Sequence, residues 1–566
     1  EIGLAAEAPP GADSGQIRKA LAFGLMGQLA IRFGTFGSGL LFAHLLAPQQ
    51  FGTFAVALVV ASVITNVNDL GLVWTLVRNP GNIDHLIPTA TTLTFGASGL
   101  LYAGTFAIAG PVSRAMHAPH AAGVLQLLAV SVLIDAASAV PASLLTRSFQ
   151  QGKRAIADVS GLVMSTAVTA ALAVHGQGAW SLAWGRIAGN TVSSLAVFLL
   201  AGTIPRPGWN RTAARELLRF GLPTAGSALF AYALLNVDYV VVGHRLGPVQ
   251  LGIYVLAFNL ASWPVTVVTM AVRKVSVAAF GRLAAHPEAL RSAIASSFAL
   301  AVTAVLPLCL GLSLLAQPLI ATLYGGKWNE SSHVLAPLAI LGGARVLVAL
   351  LDDALQAAGH PRAVFVVQAG WFLTLIPVLG IAAERGGLHE VGVAHAVVAS
   401  MILALIIFQA NRLLGLGLRR LARPLARPVL AGIVTGLATW AAARTAPAGY
   451  ERLLVGGFVL VAVYVGLVGP ATMKTIRPRK NAVPAPRDPA AVTEAPTIDS
   501  SVTDPATIPP SATKRMNPGE PARASALATA VGVPASGLGR DADVQPGVLR
   551  RRGRREPARH AAPRRS

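Results

Sequence analysis

Arginine within an apolar run is the first chemical signal in this sequence. Gln28, Arg32, Thr35 and Gly39 fall at i, i+4, i+7 and i+11, one face of a helix, with Arg32 near the middle of the hydrophobic stretch. A guanidinium forks onto phosphate or carboxylate oxygens, and Gln and Thr bond hydroxyls, so this face suits an anionic, hydroxyl-rich ligand. Three further stripes repeat the pattern: Ser62, Thr65, Asn66 and Asp69; Thr224, Ser227, Ala231 and Asp238; and Asn259, Ser262, Thr266, Thr269 and Arg273. Asp135 with Ser131 and Ser138, Arg186 with Asn190 and Ser193, and Arg345 with Asp352 and Gln356 are isolated cases. A charge at the bilayer centre costs about 2.5 to 3.5 kcal/mol on insertion scales, so such groups face a cavity or a partner. The candidate substrate-binding residues are Arg32, Gln28, Thr35, Arg345, Arg186 and Asn259; the candidate ion-coupling residues are Asp238 and Asp69. Plainer readings stand beside these: Asp135 bonding a neighbouring helix, Asp352, Asp353, Asp158 and Arg273 as ordinary helix-end charges, and Arg32 and Arg345 in internal ion pairs. No catalytic residue, metal site or cofactor is expected, since no acid/base constellation or nucleotide-phosphate motif occurs and Cys309 is alone.

Such stripes need helices in lipid to carry them. Hydrophobic residues are 54% of the 566 and charged residues 12%, with mean hydropathy +0.59, too little polar surface for a water-soluble globule. The apolar runs predict about 14 membrane helices, near 20–45, 51–77, 86–110, 121–146, 155–175, 179–203, 217–243, 251–272, 292–316, 333–357, 362–383, 389–410, 428–446 and 453–472. A shift of about 200 positions places His44, Leu46, Pro48, Gln50, Gly52, Ala57, Ala61 and Ser62 on His244, Leu246, Pro248, Gln250, Gly252, Ala257, Ala261 and Ser262. Each copy is an apolar run, an H-x-L-x-P-x-Q-x-G turn, and a second apolar run with an aromatic two residues after the glycine (Phe54, Tyr254), which spells a helical hairpin. Tandem halves in a membrane chain point to a transporter with its site between them. The organisation expected is a flexible N-terminus over 1–16, a first six-helix lobe over 17–203, a second over 204–411, two additional helices over 412–472, and a disordered, basic, Pro/Ala-rich tail over 473–566.

Loop charge gives orientation. With the N-terminus cytoplasmic, inside segments collect roughly 24 Lys/Arg against roughly 6 outside, which puts both termini inside. This bias and the tail account for most of the net charge of +22, so nucleic acid is not an expected partner. The tail's basic cluster is expected on anionic lipid. Trp180, Trp184 and Trp328 fit an outer aromatic belt.

The run from Asp238 to Tyr254 (D-x-x-x-x-G-x-x-x-G-P-x-x-x-G-x-Y), the loop Tyr324-Gly325-Gly326-Lys327-Trp328 and the segment Ala358-Gly359-His360-Pro361-Arg362 together resemble the polysaccharide flippases, the Wzx-type lipopolysaccharide and teichuronic acid exporters. The likeness runs from about Ile17 to Pro470. That family shares a superfamily with the MATE drug exporters and the lipid II flippases. The resemblance implies two six-helix lobes around a cleft lined mainly by helices 1, 2, 7 and 8, in a bacterial cytoplasmic membrane, moving a polyprenyl diphosphate-linked oligosaccharide by alternating access with H+ or Na+ coupling. Its partners would be membrane lipids and glycosyltransferases or a polymerase of the same pathway. Ser38 stands where the second copy has Asp238, so any role of that carboxylate is not duplicated.

The alternatives differ in what they require. A MATE-like small-molecule exporter for cations would want acidic and aromatic cavity residues, whereas Arg32 and Arg345 are deep and aromatic content is 6%. A lipid II flippase shares the fold, and a membrane scaffold of a polysaccharide-assembly complex would act through the tail. A membrane glycosyltransferase would need a sizeable outside loop, and none exceeds roughly 17 residues. The topology is testable by cysteine substitution in a Cys309-free background. An impermeant thiol reagent on intact cells should label positions 327 and 385 and spare 154, 219, 282 and 423; labelling at 219 would invert the orientation.

Overall fold

The computed structural model describes residues 14–68, 75–76, 82–148, 150–447 and 449–476. Asp69 and the tail from 477 lie outside those residues, as do 1–13. The chain divides into two units, Glu1–Lys480 and Asn481–Ser566, and every described residue belongs to the first.

The described residues contain helices and no strand. Those of eight residues or more are, in chain order, α1 (Ser14–Leu45), α2 (Pro48–Asn68), α3 (Ile87–Ala115), α4 (Ala121–Arg147), α5 (Gln151–Val174), α6 (Ala179–Ala201), α7 (Arg211–Leu283), α8 (Pro287–Leu314), α9 (Ala316–Leu323), α10 (Glu330–Ala357), α11 (Pro361–Leu414), α12 (Ala426–Thr445) and α13 (Tyr450–Ile476). Ten helical runs among them are long and apolar enough to cross a membrane. In lipid no water is present to bond backbone groups, so a chain of this composition satisfies them within helices. The protein is a polytopic membrane protein, helical and without strands among its described residues.

Two of the helices are broken. α7 would be a rod of about 110 Å if straight, but Gly247 adopts φ 82°, ψ 179°, and α11 breaks likewise at Gly387 with φ 78°, ψ −150°. Positive φ is tolerated at both because glycine has no Cβ. After Gly247 the two arms of α7 run side by side: the Tyr254 hydroxyl reaches Asp238 Oδ2 at 3.0 Å, and the Tyr239 ring contacts those of Tyr254 at 6.0 Å and Phe258 at 5.4 Å. The hairpin expected from the H-x-L-x-P-x-Q-x-G signature is thus present in the second copy. In the first copy the same signature falls at the α1–α2 junction.

The two copies of the signature pack against each other. A side chain on Gly52 would collide with the Pro248 carbonyl and one on Gly252 with the Pro48 carbonyl, while the backbone nitrogen of each glycine lies near the other. The contact is backbone to backbone and reciprocal. Around it, Lys327 Nζ donates to the carbonyl oxygens of His44 (2.8 Å) and Leu46 (2.9 Å), and the Trp328 indole donates to Ala43 O at 2.9 Å. His244 Nδ1 donates to Ala115 O at 2.6 Å, so the ends of α1 and α3 are both capped from the second copy's side.

Trp328 therefore departs from the belt expected for it. It is fully buried, edge-on to Phe51 at 5.3 Å, because its N–H meets the open carbonyls at the end of α1. Trp180 and Trp184 remain 41% and 47% exposed.

α10 is hydrophobic on nearly every side and is enclosed, with 72% of its apolar window buried against 17% in α5. α5 and α6 approach closely where Gly161 and Gly189 face one another's carbonyls, a small-residue contact of the kind that lets helices pack in lipid. α12 and α13 dock on α8 through Gly432 against Leu306 and a Tyr464 hydroxyl donating to Thr303 O at 2.9 Å.

Gly52→Ala and Gly252→Ala should each lower the thermal unfolding midpoint of the purified protein, at a cost of about 1–3 kcal/mol, since a carbonyl cannot rotate away. Gly39→Ala, with nothing within 4 Å of the added carbon, is the control and should be neutral or stabilising. Equal midpoints for all three would contradict the close crossing.

Candidate functional site

The hairpins joined at the crossed turns carry most of the polar stripes read from the sequence, so the site is built outward from that junction. In α1, Arg32 is half-buried and Gln28 and Thr35 are exposed; the Thr35 hydroxyl turns back to Ile31 O at 2.6 Å. Asn259, on the C-terminal arm of α7, is also exposed. α1 and this arm meet at mid-length, where Phe33 and Phe36 lie 5.3 Å and 5.1 Å from Trp263. Arg186 is half-buried in α6, and Asp69 lies outside the described residues. Arg32, Gln28, Thr35 and Asn259 thus sit on helices that touch; Arg186 sits on α6, which packs mainly on α5 and α4 and less extensively on α2.

Asp238 is the most enclosed candidate, with 1% of its surface exposed. Its carboxylate accepts from the Tyr254 hydroxyl and, at 3.0 Å, from the Tyr239 backbone N–H. His395 of α11 completes the cluster, its Nδ1 3.2 Å from the Tyr254 oxygen and 3.9 Å from Asp238 Oδ2. The Arg345 guanidinium stands 5.6 Å over the Phe258 ring and is the positive charge that reaches the carboxylate. The structure therefore brings together Asp238 and Arg345, which the sequence had on unrelated stripes. Tyr254, Phe258 and His395 join them. Phe258 and His395 carried no sequence signal, since a His in an apolar run reads as core until its partners are known. Among the described residues no group of three or more His, Cys, Asp or Glu could hold a metal ion.

The charges expected as ordinary helix ends are corrected in part. Arg273 grips Asp353 in a two-pronged pair, Nε to Oδ2 at 2.8 Å and Nη2 to Oδ1 at 2.7 Å, with Asp353 nearly fully buried. Gln368 donates to Asp352 Oδ2 at 2.7 Å. These residues tie α7, α10 and α11 together at their ends, because a carboxylate pushed into a helical bundle needs donors it cannot take from lipid. Asp158 keeps the plain reading, a half-buried pair 4.0 Å from Arg154 one turn away. Asp135 accepts from the Asn190 amide at 3.1 Å, beside a Ser194 to Ser138 bond of 3.0 Å, a polar ladder between α4 and α6.

The turn end has its own electrostatics. Arg245 and Glu384 pair across it, and Gln250 donates to Glu330 at 3.0 Å. Desolvation at the junction pulls the Lys327 ammonium below its ordinary value.

A duplicated, crossed pair of hairpins with polar stripes is an architecture that comparison can test. The family model for "Polysaccharide biosynthesis protein" matches residues 41–333, a stretch that holds both turns and the Lys327–Trp328 loop. The chain belongs to that family. Among the relatives of this polysaccharide biosynthesis protein, the succinoglycan biosynthesis transport protein ExoT of Rhizobium meliloti is 26% identical over 336 residues, 59% of this chain and 68% of the relative. The lipopolysaccharide biosynthesis protein WzxC of Escherichia coli is 23% identical over 352 residues, 61% and 70% of the two chains. Among solved structures, the lipid II flippase MurJ in its inward closed conformation aligns with TM-score 0.68 at 12% identity, covering 81% of this chain and 100% of that one. An inward-facing multidrug resistance MATE family transporter of the MOP superfamily aligns with TM-score 0.55 at 16% identity, covering 68% and 94%. The likeness to polysaccharide exporters read from the motifs is confirmed, and the fold is that of membrane transporters. The protein is a transporter and not an enzyme.

Tyr254→Phe removes the hydroxyl between Asp238 and His395 and leaves a buried acceptor short of a donor. It should cost about 1–3 kcal/mol of stability, seen as a lower denaturation midpoint in detergent at unchanged insertion; an unchanged midpoint would show that the bond contributes nothing.

Proposed function

We propose that this protein carries a polyprenyl diphosphate-linked oligosaccharide, or another cell-envelope polysaccharide precursor, from the inner to the outer leaflet of the bacterial cytoplasmic membrane by ion-coupled alternating access. The observation that carries this reading is the crossing of the two repeated turns, with one end of the bundle held shut between hairpins whose polar residues lie deeper along the same helices. Fourteen membrane helices in two lobes, 17–203 and 204–411, followed by two additional helices over 412–472, belong to this proposal, and the breaks of α7 at Gly247 and of α11 at Gly387 into two arms each support it. The loop charges put both termini in the cytoplasm, so the shut end faces outward and the cleft would open inward, toward the leaflet in which the precursor is made. The relatives' names, succinoglycan transport and lipopolysaccharide biosynthesis, supply the substrate class.

The residue roles follow from charge. Arg32 meets the diphosphate or an acidic sugar as the cleft faces inward, with Gln28, Thr35 and Asn259 for hydroxyls, while the hydrocarbon tail stays in lipid between the lobes. Arg345 is drawn to Asp238 and Phe258 and helps set the charge state of the coupling site. Asp238 couples to H+ or Na+, a carboxylate held by Tyr254 and His395 whose charge can change between the two states. A cationic substrate is disfavoured by Arg32 and Arg345.

Reconstituted in vesicles, Arg32→Ala and Arg32→Glu should abolish translocation at normal insertion, and Arg32→Lys should retain part. Asp238→Asn should remove the dependence on an ion gradient without removing binding. Recovery of activity in the combined Arg32→Asp, Asp238→Arg variant would replace both roles with a simple ion-pair gate.

A further inference from the structure

Trp263 is placed where neither stability nor symmetry accounts for it. It projects from the C-terminal arm of α7 and is seated against α1, the Phe33 ring edge-on at 5.3 Å and 68° and the Phe36 ring tilted at 5.1 Å and 34°. Its indole nitrogen is buried and has no hydrogen-bond partner, whereas Trp328, the other tryptophan at the seam between the two copies, spends its N–H on Ala43 O. A buried donor left without an acceptor is a standing cost of this arrangement. Phe33 is 57% exposed, so the cluster is open along one side.

Position and asymmetry narrow its role. At about 1.5 Å per residue Trp263 lies roughly 16 Å along the helix from Gly252, which is near mid-membrane. Val63 occupies the matching place in the first copy, and Ala233 and Asn236 match Phe33 and Phe36, so the cluster is not part of the duplicated scaffold. Arg32 precedes Phe33 directly, and Asn259 and Thr266 lie one turn either side of Trp263 on the same face.

The chemistry that fits is a pyranose ring beside a phosphate. The face of an indole or phenyl ring is electron-rich and receives the polarised C–H bonds of a sugar, while an indole N–H at the ring edge donates to a sugar hydroxyl. We infer that Trp263 and Phe33 form the stacking site for the sugar attached directly to the diphosphate, and that this sugar displaces the Trp263–Phe33 contact and supplies the acceptor the indole lacks. The inference rests on the flippase reading above and adds to it a glycan subsite distinct from the anion site at Arg32.

The test compares two probes on the purified full chain: polyprenyl diphosphate carrying one glucose, and the same polyprenyl diphosphate without sugar. In the wild type the glycosylated probe should bind more tightly. Trp263→Ala should weaken it by roughly tenfold and leave the bare diphosphate unchanged; Trp263→Phe, which keeps an aromatic face but loses the N–H with the five-membered ring, should weaken it by roughly threefold. Arg32→Ala should weaken both probes alike. Equal affinity of the wild type for both probes, or an equal effect of the Trp263 variants on both, would overturn the glycan subsite and leave the flippase reading standing. Binding of neither probe by the wild type would overturn both.

Discussion

Two glycines in contact determine how the rest of this molecule is arranged. Because Gly52 and Gly252 meet the carbonyls of Pro248 and Pro48, no side chain separates the copies at that end, and the register of four helical segments is set by backbone dimensions alone. The polar contacts around the crossing are of another kind. A helix ends with carbonyls that have no partner within it, and those of Ala43, His44 and Leu46 are taken by Lys327 and Trp328. Water could satisfy the same carbonyls if the seam opened, so each bond contributes only about 0.5–1.5 kcal/mol net. The crossing is thus sterically close but only modestly held by its polar contacts.

The interior of the bundle shows the opposite economy. Arg273 and Asp353 sit in a two-pronged pair with the carboxylate almost wholly enclosed, and separating them would strand a charge away from water. The pair ties α7 to α10. Around Asp238 the donors are weaker and more varied: a phenol, a backbone N–H, an imidazole at the edge of reach and an arginine that spends part of its charge on the Phe258 ring. None of these opposes Asp238 as Arg273 opposes Asp353. One carboxylate is clamped by a guanidinium and the other is held by several weaker partners.

Helices were the most legible feature of the chain, since lipid permits little else and apolar run length carries the signal. The repeat was legible too, because turn chemistry confines Pro and Gly to few positions; Gly247 is the residue that bends α7 back on itself. What the sequence concealed was partnership across distance. Trp328 read as belt tryptophan, yet its acceptor lies 285 positions away at Ala43. His395 reads as core until the topology brings α11 to Tyr254, 141 positions away. Asp353 looked like a helix end because nothing local indicates Arg273 beside it. Periodicity assigns a residue to a face, but only the packing of α7, α10 and α11 says what that face meets.

Duplication makes the differences between copies informative. Gly52 and Gly252 are repeated because each meets the carbonyl of the other copy's proline, and a side chain on either would break that reciprocal contact, whereas His44 and Gln50 bond within their own copy and His244 and Gln250 reach Ala115 and Glu330. Asp238 faces no such constraint and has Ser38 as its counterpart; Trp263 has Val63. A buried carboxylate and a tryptophan with an unused N–H are both costly to keep, and neither is needed to fold the hairpin, since the first copy folds without them. The scaffold is symmetric, and its two most expensive side chains are not. The duplicated glycines hold the crossing by backbone contact alone, and the walls deeper along the same helices are free to differ because that contact does not involve them.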